Sequence, residues 1–442
     1  MDSTDGSSSA EQVSGAVILP WAWRIEARYR WLRGRLLRLW RATPVRWQVG
    51  LWLGLLLVVA FFTLAPVIPA GMRLNPAGED RLLARIGRTY GFRRAYAYFS
   101  PRFFERECQR GIPRSEWTVY YRPLMFVSYA FDAALWDCDV RIGRSVNLLL
   151  HVANAFLLGL ILLVLTQGSR QAAASASFLY LATPASAEPI SWWAARSDLL
   201  STTFSLAGLL ALIVWTQRGG ARYVGAAIFS FVCAVLSKES AGAVLPLACF
   251  WLLLAPKNEK SPLPQRALLL AGLLVLALAY LAFRVETHTL LRPPAARVGT
   301  HFALGHFLRF VCMPLAGVVM GLELKTMVPV NVGSLGLLAA AIIVLWPCLR
   351  QAALLAAWKV VFFLPAMSYS IIVPRYEYAP LAGAAALIAL LCLQADRRWR
   401  PLWAPLTLVP WVVAGVLFGK DLFSLHGQAI AWTHQLSKVV HP

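Results

Sequence analysis

Long apolar runs separated by short polar connectors dominate the chain, at 49–69, 146–166, 171–190, 199–216, 223–237, 241–255, 267–283, 302–322, 333–348, 352–373, 379–395 and 402–418. About 20 helical residues cross about 30 Å of hydrocarbon. These runs are continuous and rich in Leu and Ala, whereas a membrane barrel strand would alternate in polarity, so the pattern predicts helices. The 302–322 run contains His306, Arg309 and Pro314. Read as re-entrant, it places Arg170, Arg218 with Arg222, Lys257 with Lys260, Arg350 and the 397–400 cluster on the inside, following the positive-inside tendency. The expected fold is therefore all-α, a polytopic transmembrane bundle of about 11 spans.

The connectors suggest the domain plan. Residues 1–15 are rich in Ser, Asp and Gly and read as disordered, and 23–47 carries eight arginines against one acid, Glu26, as a cytoplasmic flank does. The run at 49–69 is too long and too far along the chain for a secretory signal and reads as a retained span. The expectation is a cytoplasmic basic tail at 1–47, a membrane domain at 48–418 with a large external loop at 71–145, and a short tail at 419–442. The expected location is the cell inner (plasma) membrane, multi-pass, with the amino terminus cytoplasmic. Two loop stretches predict amphipathic surface helices lying flat at the interface. One shows Leu82, Leu83, Ile86 and Tyr90 between arginines, and the other shows Leu124, Val127, Phe131 and Leu135 after Pro123, a favoured first-turn residue.

Composition sharpens this picture. With 59% hydrophobic and 14% charged residues the chain is not a water-soluble globule. A net charge of +21 invites a nucleic-acid partner, but the basic residues sit between apolar runs without a basic domain or recognition motif, so nucleic acid is excluded and the membrane is the partner. On the proposed orientation 15 of the 21 acids lie outside or at outer span ends and none sits mid-span, which argues against an ion pump and for chemistry at the external interface. The seven cysteines show no metal-ligand spacing, and five lie in or beside apolar runs; Cys108 and Cys138, both external, are the two that an oxidising side would allow to pair. No P-loop, Rossmann fingerprint or HExxH is present.

Several polar residues stand out, and each has a structural reading beside the chemical one. Glu79 and Asp80 precede an amphipathic helix and suit capping as well as catalysis. Arg122 before Pro123 suits headgroup anchoring, Lys238 and Glu239 an adjacent ion pair, and Arg375 and Lys359 snorkelling. His151, with Asn147 and Asn154 on nearly the same face, reads as an interhelical hydrogen-bond cluster rather than a metal site. Gly50 and Gly54 form a GxxxG, a weak dimerisation signal.

Four strings carry a further signal together: GEDRLL at 78–83; YYRPL at 120–124 continuing to LW at 135–136 and NLLLHVAN at 147–154; SKES at 237–240; and RYEYAPLAG at 375–383. In this order they resemble the membrane-embedded C-type (GT-C) glycosyltransferases, above all the branch of O-mannosyltransferases with tetratricopeptide repeats, without the repeat domain. The likeness runs from about Gly78 to Gly383. It departs where Glu79 and Asp80 replace a paired Asp and where Asp137 follows Trp136 in place of the usual Gly. The stretch at 183–198 keeps Pro184, Glu188, Arg196 and Asp198 but lacks the usual histidines.

The resemblance implies transfer of a sugar from a polyprenyl-phosphate donor to a protein, lipid or glycan acceptor at the external membrane face. It makes Asp80 the expected catalytic base, with Glu79 as its helper or as a metal or acceptor ligand. Arg122, Lys238 and Arg375 become the expected donor-phosphate ligands, and Tyr121, Glu188, Arg196, Asp198, Glu239 and His151 their support. No cofactor is certain and a divalent metal is left open. The rival expectation is a transporter or flippase for a lipid-linked substrate, which needs the same groove and basic ligands; a non-catalytic membrane assembly subunit is the third.

Overall fold

The computed structural model describes residues 44–64, 79–100, 121–182, 186–256, 259–286, 343–365 and 374–399. Every element among them is a helix. The chain divides into two compact units, residues 1–55 and 56–442, with the boundary inside the first helix, α1, Val45–Leu64. The first unit contributes only the apolar stretch 44–55 to the described residues, and apart from the length of that first helix all that follows concerns the second.

In the expected external loop, α2 spans Glu79–Tyr90, a 3-10 segment spans Phe92–Phe99, and α3 spans Pro123–Trp136. Of the predicted face of α2, Leu83 and Ile86 are buried and Tyr90 is half-buried, with Arg85 and Arg88 outside. Helix α3 departs from the expected face. Its buried side carries Met125, Phe126, Tyr129 and Ala130, while Phe131 and Leu135 of the predicted stripe are exposed. Both sides of α3 are apolar; one closes a core with α2, Tyr98 and Trp193, and the other is left as an open apolar stripe of the kind interfacial helices carry. Cys138, at the end of this core, is a buried free thiol; Cys108 lies outside the described residues.

The long helices follow. They are α4, Val140–Leu165, started by Asp139, whose carboxylate accepts from the backbone N–H groups of Arg141 and Ile142; α5, Arg170–Leu181; the short α6, Ala187–Ser191; and α7, Arg196–Arg218, reached through a 3-10 turn at Trp193–Ala195. Next come α8, Ala221–Ser237, a 3-10 turn at Glu239–Ala243, α9, Val244–Leu254, and α10, Leu263–Glu286. Then α11, Leu349–Phe363, and α12, Pro374–Trp399, close the described chain. Helix α7 packs on α4 and α8, and α12 packs on α5 and α11.

Among the described residues five helices are long and apolar enough to cross a membrane: Val140–Leu165, Trp193–Arg218, Leu263–Phe283, Ile343–Phe363 and Arg375–Arg397. Those at Trp47–Phe62, Ala221–Ser237 and Glu239–Leu254 are apolar but shorter. Two expectations are corrected. The run at 171–190 is not one helix, because α5 stops at Leu181 and the chain resumes in the five-residue α6. At about 1.5 Å per residue α5 covers only about 18 Å. Arg350 does not lie in a loop: the helix continues from Ile343 through a 3-10 turn at Trp346–Cys348 to Phe363. The runs at 302–322 and 402–418 lie outside the described residues.

Two glycines fix close approaches that matter for the site. A Cβ on Gly143 of α4 would lie 2.5 Å from Nε1 of Trp193, and one on Gly383 of α12 would lie 2.5 Å from the Leu355 carbonyl oxygen of α11. Any side chain there would push these elements apart.

Candidate functional site

Three successive residues open α7, and about 100° of helical rotation per residue sends them in three directions. The guanidinium of Arg196 meets the Asp132 carboxylate of α3 at 2.5 Å and donates to Oδ1 of Asn147 at 3.0 Å and to the Gly143 carbonyl at 2.8 Å. Ser197 Oγ accepts from Arg122 Nη1 at 3.3 Å. Asp198 accepts from the ammonium of Lys238.

The partners are aimed by local breaks in the chain. Pro123 starts α3, so Arg122 stays non-helical (φ −132°, ψ 63°) and reaches across to Glu239, with Nη2–Oε1 2.5 Å and Nε–Oε2 2.8 Å. Helix α8 ends at Ser237, and the extended backbone of Lys238 (φ −157°, ψ 137°) turns it and Glu239 toward different neighbours. The expected adjacent Lys238–Glu239 pair is thus replaced by two crossed pairs, Lys238 with Asp198 and Glu239 with Arg122. Burial pushes the Glu239 carboxyl up, but the Arg122 guanidinium, helped by Lys238, holds it down at about 2. Burial pulls the Lys238 ammonium below its ordinary value, and the repulsion of Arg122 adds to this, while Asp198 and Glu239 oppose.

The first turn of α12 supplies the remaining side. Glu188 of α6 accepts from Nη1 and from the backbone N–H of Arg375, each at 3.0 Å. The Arg375 guanidinium lies 4.2 Å from the Trp192 ring centroid and 5.3 Å from that of Tyr376, and the same Tyr376 ring sits 5.7 Å from Nζ of Lys238. Arg122, Lys238 and Arg375 are therefore brought together with Glu239, Asp198 and Glu188, three cations facing three carboxylates. Each of the three cations is paired with a carboxylate from a distant part of the chain.

Below this ring lies a buried polar layer. His151 Nε2 is 3.2 Å from the Leu181 carbonyl, which can only accept, so Nε2 carries the proton and Nδ1 accepts from the Tyr378 hydroxyl at 2.9 Å. That hydroxyl in turn accepts from Asn154 Nδ2 at 3.0 Å, and Tyr180 donates to the Tyr378 carbonyl. Asn147 donates to the carbonyls of Pro189 and Trp192 and so anchors the α6 turn. His151 acts here as an interhelical hydrogen-bonding residue. Lys359, expected to snorkel, is buried instead on α11 within the electrostatic reach of Glu377.

Tyr121 donates to the Phe99 carbonyl at 2.8 Å, packs on Phe283, and is pushed above its ordinary pKa by burial; it fastens the 3-10 segment beside Arg122. Glu79 and Asp80 are described only as the opening residues of α2, and their side chains lie outside the described residues. Among the described residues no group of three or more His, Cys, Asp or Glu could hold a metal ion. Sequence reading missed Asp132, Ser197, Trp192, Trp193, Tyr376 and Tyr378 as members of the cluster. Ser197 and Tyr376 adjoin expected site residues, and Trp192, Trp193 and Tyr378 lie inside the quoted stretches at 183–198 and 375–383, so position in a motif was the available signal, whereas Asp132 carried none. Comparison with family models, curated proteins and solved structures yields no match.

Proposed function

We propose that this chain is a polytopic inner-membrane glycosyltransferase of C-type, with about 11 spans and a cytoplasmic amino terminus. It transfers a sugar from a polyprenyl-phosphate donor to an acceptor hydroxyl at the external face. The observation that carries this reading is convergence. Arg122, Lys238 and Arg375, from three motifs far apart in sequence, meet in one cluster with aromatic walls beside helices of membrane length.

The chemistry asked of the cluster is stabilisation of a departing phosphate. The acceptor oxygen attacks the anomeric carbon, the bond from that carbon to the phosphate oxygen breaks, and the acceptor proton passes to a carboxylate, for which Asp80 is proposed with Glu79 assisting. Fixed guanidinium and ammonium groups at the phosphate lower the barrier by meeting the charge that develops there, and the open apolar stripe of α3 suits a lipid tail held alongside. Purified protein in nanodiscs is expected to move labelled sugar from a polyprenyl phosphate to an acceptor.

One observation favours a second reading. The cluster as it stands is charge-balanced, and paired charges that exchange partners suit a flippase for a lipid-linked substrate. Movement of the lipid between leaflets without breaking the sugar–phosphate bond, in the same nanodisc protein reconstituted into vesicles, would replace the transferase reading.

A further inference from the structure

The three ion pairs are not equally closed. Side-chain exposure is 14% and 17% for Arg122–Glu239 and 10% and 11% for Lys238–Asp198, but 23% and 28% for Arg375–Glu188. The most open carboxylate is also held like a ligand. Its two oxygens take two N–H groups of one residue, the side-chain Nη1 and the backbone N of Arg375, at 3.0 Å each. That backbone N–H belongs to the first turn of α12, where helix N–H groups have no intrahelical acceptor.

The receiving half of this pair is held independently of Glu188. The Arg375 guanidinium rests on the Trp192 face and against Tyr376. Trp192, whose ring centroid lies 4.2 Å from that guanidinium, has a buried Nε1 without a hydrogen-bond partner. The backbone beside Glu188 is pinned through the Pro189 and Trp192 carbonyls by Asn147, so α6 is held by contacts other than the Glu188 side chain.

We propose that Glu188 is an internal anion occupying the Arg375 subsite, and that a phosphate-monoester headgroup, the lipid phosphate left after sugar transfer, binds there by displacing it. This rests on the transferase reading for the identity of the headgroup. The consequence is regulatory: only molecules with Glu188 swung out accept the lipid phosphate, so apparent affinity is reduced by the fraction that is open.

The test uses the full chain in nanodiscs and measures dissociation constants for a polyprenyl monophosphate and, separately, for inorganic phosphate. If about a tenth of wild-type molecules are open, Glu188→Gln binds about tenfold more tightly. Glu188→Asp, whose carboxylate is withdrawn by one methylene, falls between the two, and thermal unfolding checks that both variants are folded. Tightening in both arms supports exchange at the headgroup, and tightening in the lipid arm alone supports it with the lipid as the source of the phosphate. Binding that is unchanged or weaker in both variants, or absent in all three proteins, overturns it. Sugar transfer is assayed in the same nanodiscs. Transfer without tightening sinks the exchange alone, and tightening without any transfer sinks the transferase reading alone.

Discussion

Arg196 and Asp132 form an ion pair of 2.5 Å with side chains only 1% and 2% exposed, joining the first turn of α7 to a helix of the loop expected outside. Trp193 Nε1 donates to the same carboxylate at 2.7 Å. Even so, burial pushes the Asp132 carboxyl above its ordinary range against the opposing pull of Arg196 and Trp193. The pair therefore serves placement more than stability: it fixes where α3 and Trp193 sit relative to the cluster of Arg122, Ser197 and Lys238.

Breaking that pair from one side leaves a buried charge uncompensated. Asp132→Ala is expected to destabilise the protein by about 3–5 kcal/mol. The double change Asp132→Leu with Arg196→Met should recover most of that loss. Thermal unfolding in detergent reads both, and a single variant as stable as the wild type would remove the pair from this role.

Tyr378→Phe removes the hydroxyl that donates to His151 Nδ1 and accepts from Asn154. Two buried polar groups lose a partner, and the expected cost is about 1–3 kcal/mol. An unchanged unfolding midpoint would mean that water replaces the hydroxyl.

Alanine at Arg122, Lys238 or Arg375 is expected to weaken binding of a donor analogue. Arg375→Lys should weaken it too, because an ammonium cannot offer paired planar donors or stack on Trp192 in the same way. Affinity unchanged from the wild type in all three alanine variants would take the donor phosphate elsewhere.

Asp80→Asn keeps shape and removes basicity, and turnover should fall by about 10²–10⁴ with expression and donor binding intact. A pure capping role for the residue predicts near silence, since Asn is itself a good cap. Normal turnover in both Asp80→Asn and Glu79→Gln would return the flippase reading to the front.

Topology is checked by reporter fusions. A fusion after Phe418 should report outside and one within residues 394–400 should report inside. The reverse would remove Arg375 from an external site.

The sequence by itself determined the helical class, the approximate place of most described helices, and a set of polar residues of which eight appear in or beside one cluster: Tyr121, Arg122, Glu188, Arg196, Asp198, Lys238, Glu239 and Arg375. This much is local information. Apolar runs, proline at a helix start and acid at a cap act within a turn or two. Tertiary structure alone decided which carboxylate meets which cation. Lys238 takes Asp198, 40 residues away, rather than its neighbour; Arg122 takes Glu239, 117 residues away; Arg375 takes Glu188, 187 residues away. It also decided that Lys359 is buried, that α3 turns Met125, Phe126 and Tyr129 inward, and that the 171–190 run breaks. The physical reason is that an ion pair is selected by which helix ends meet once the long helices have packed, and an α-helix that is apolar on both sides leaves its inward face to its neighbours.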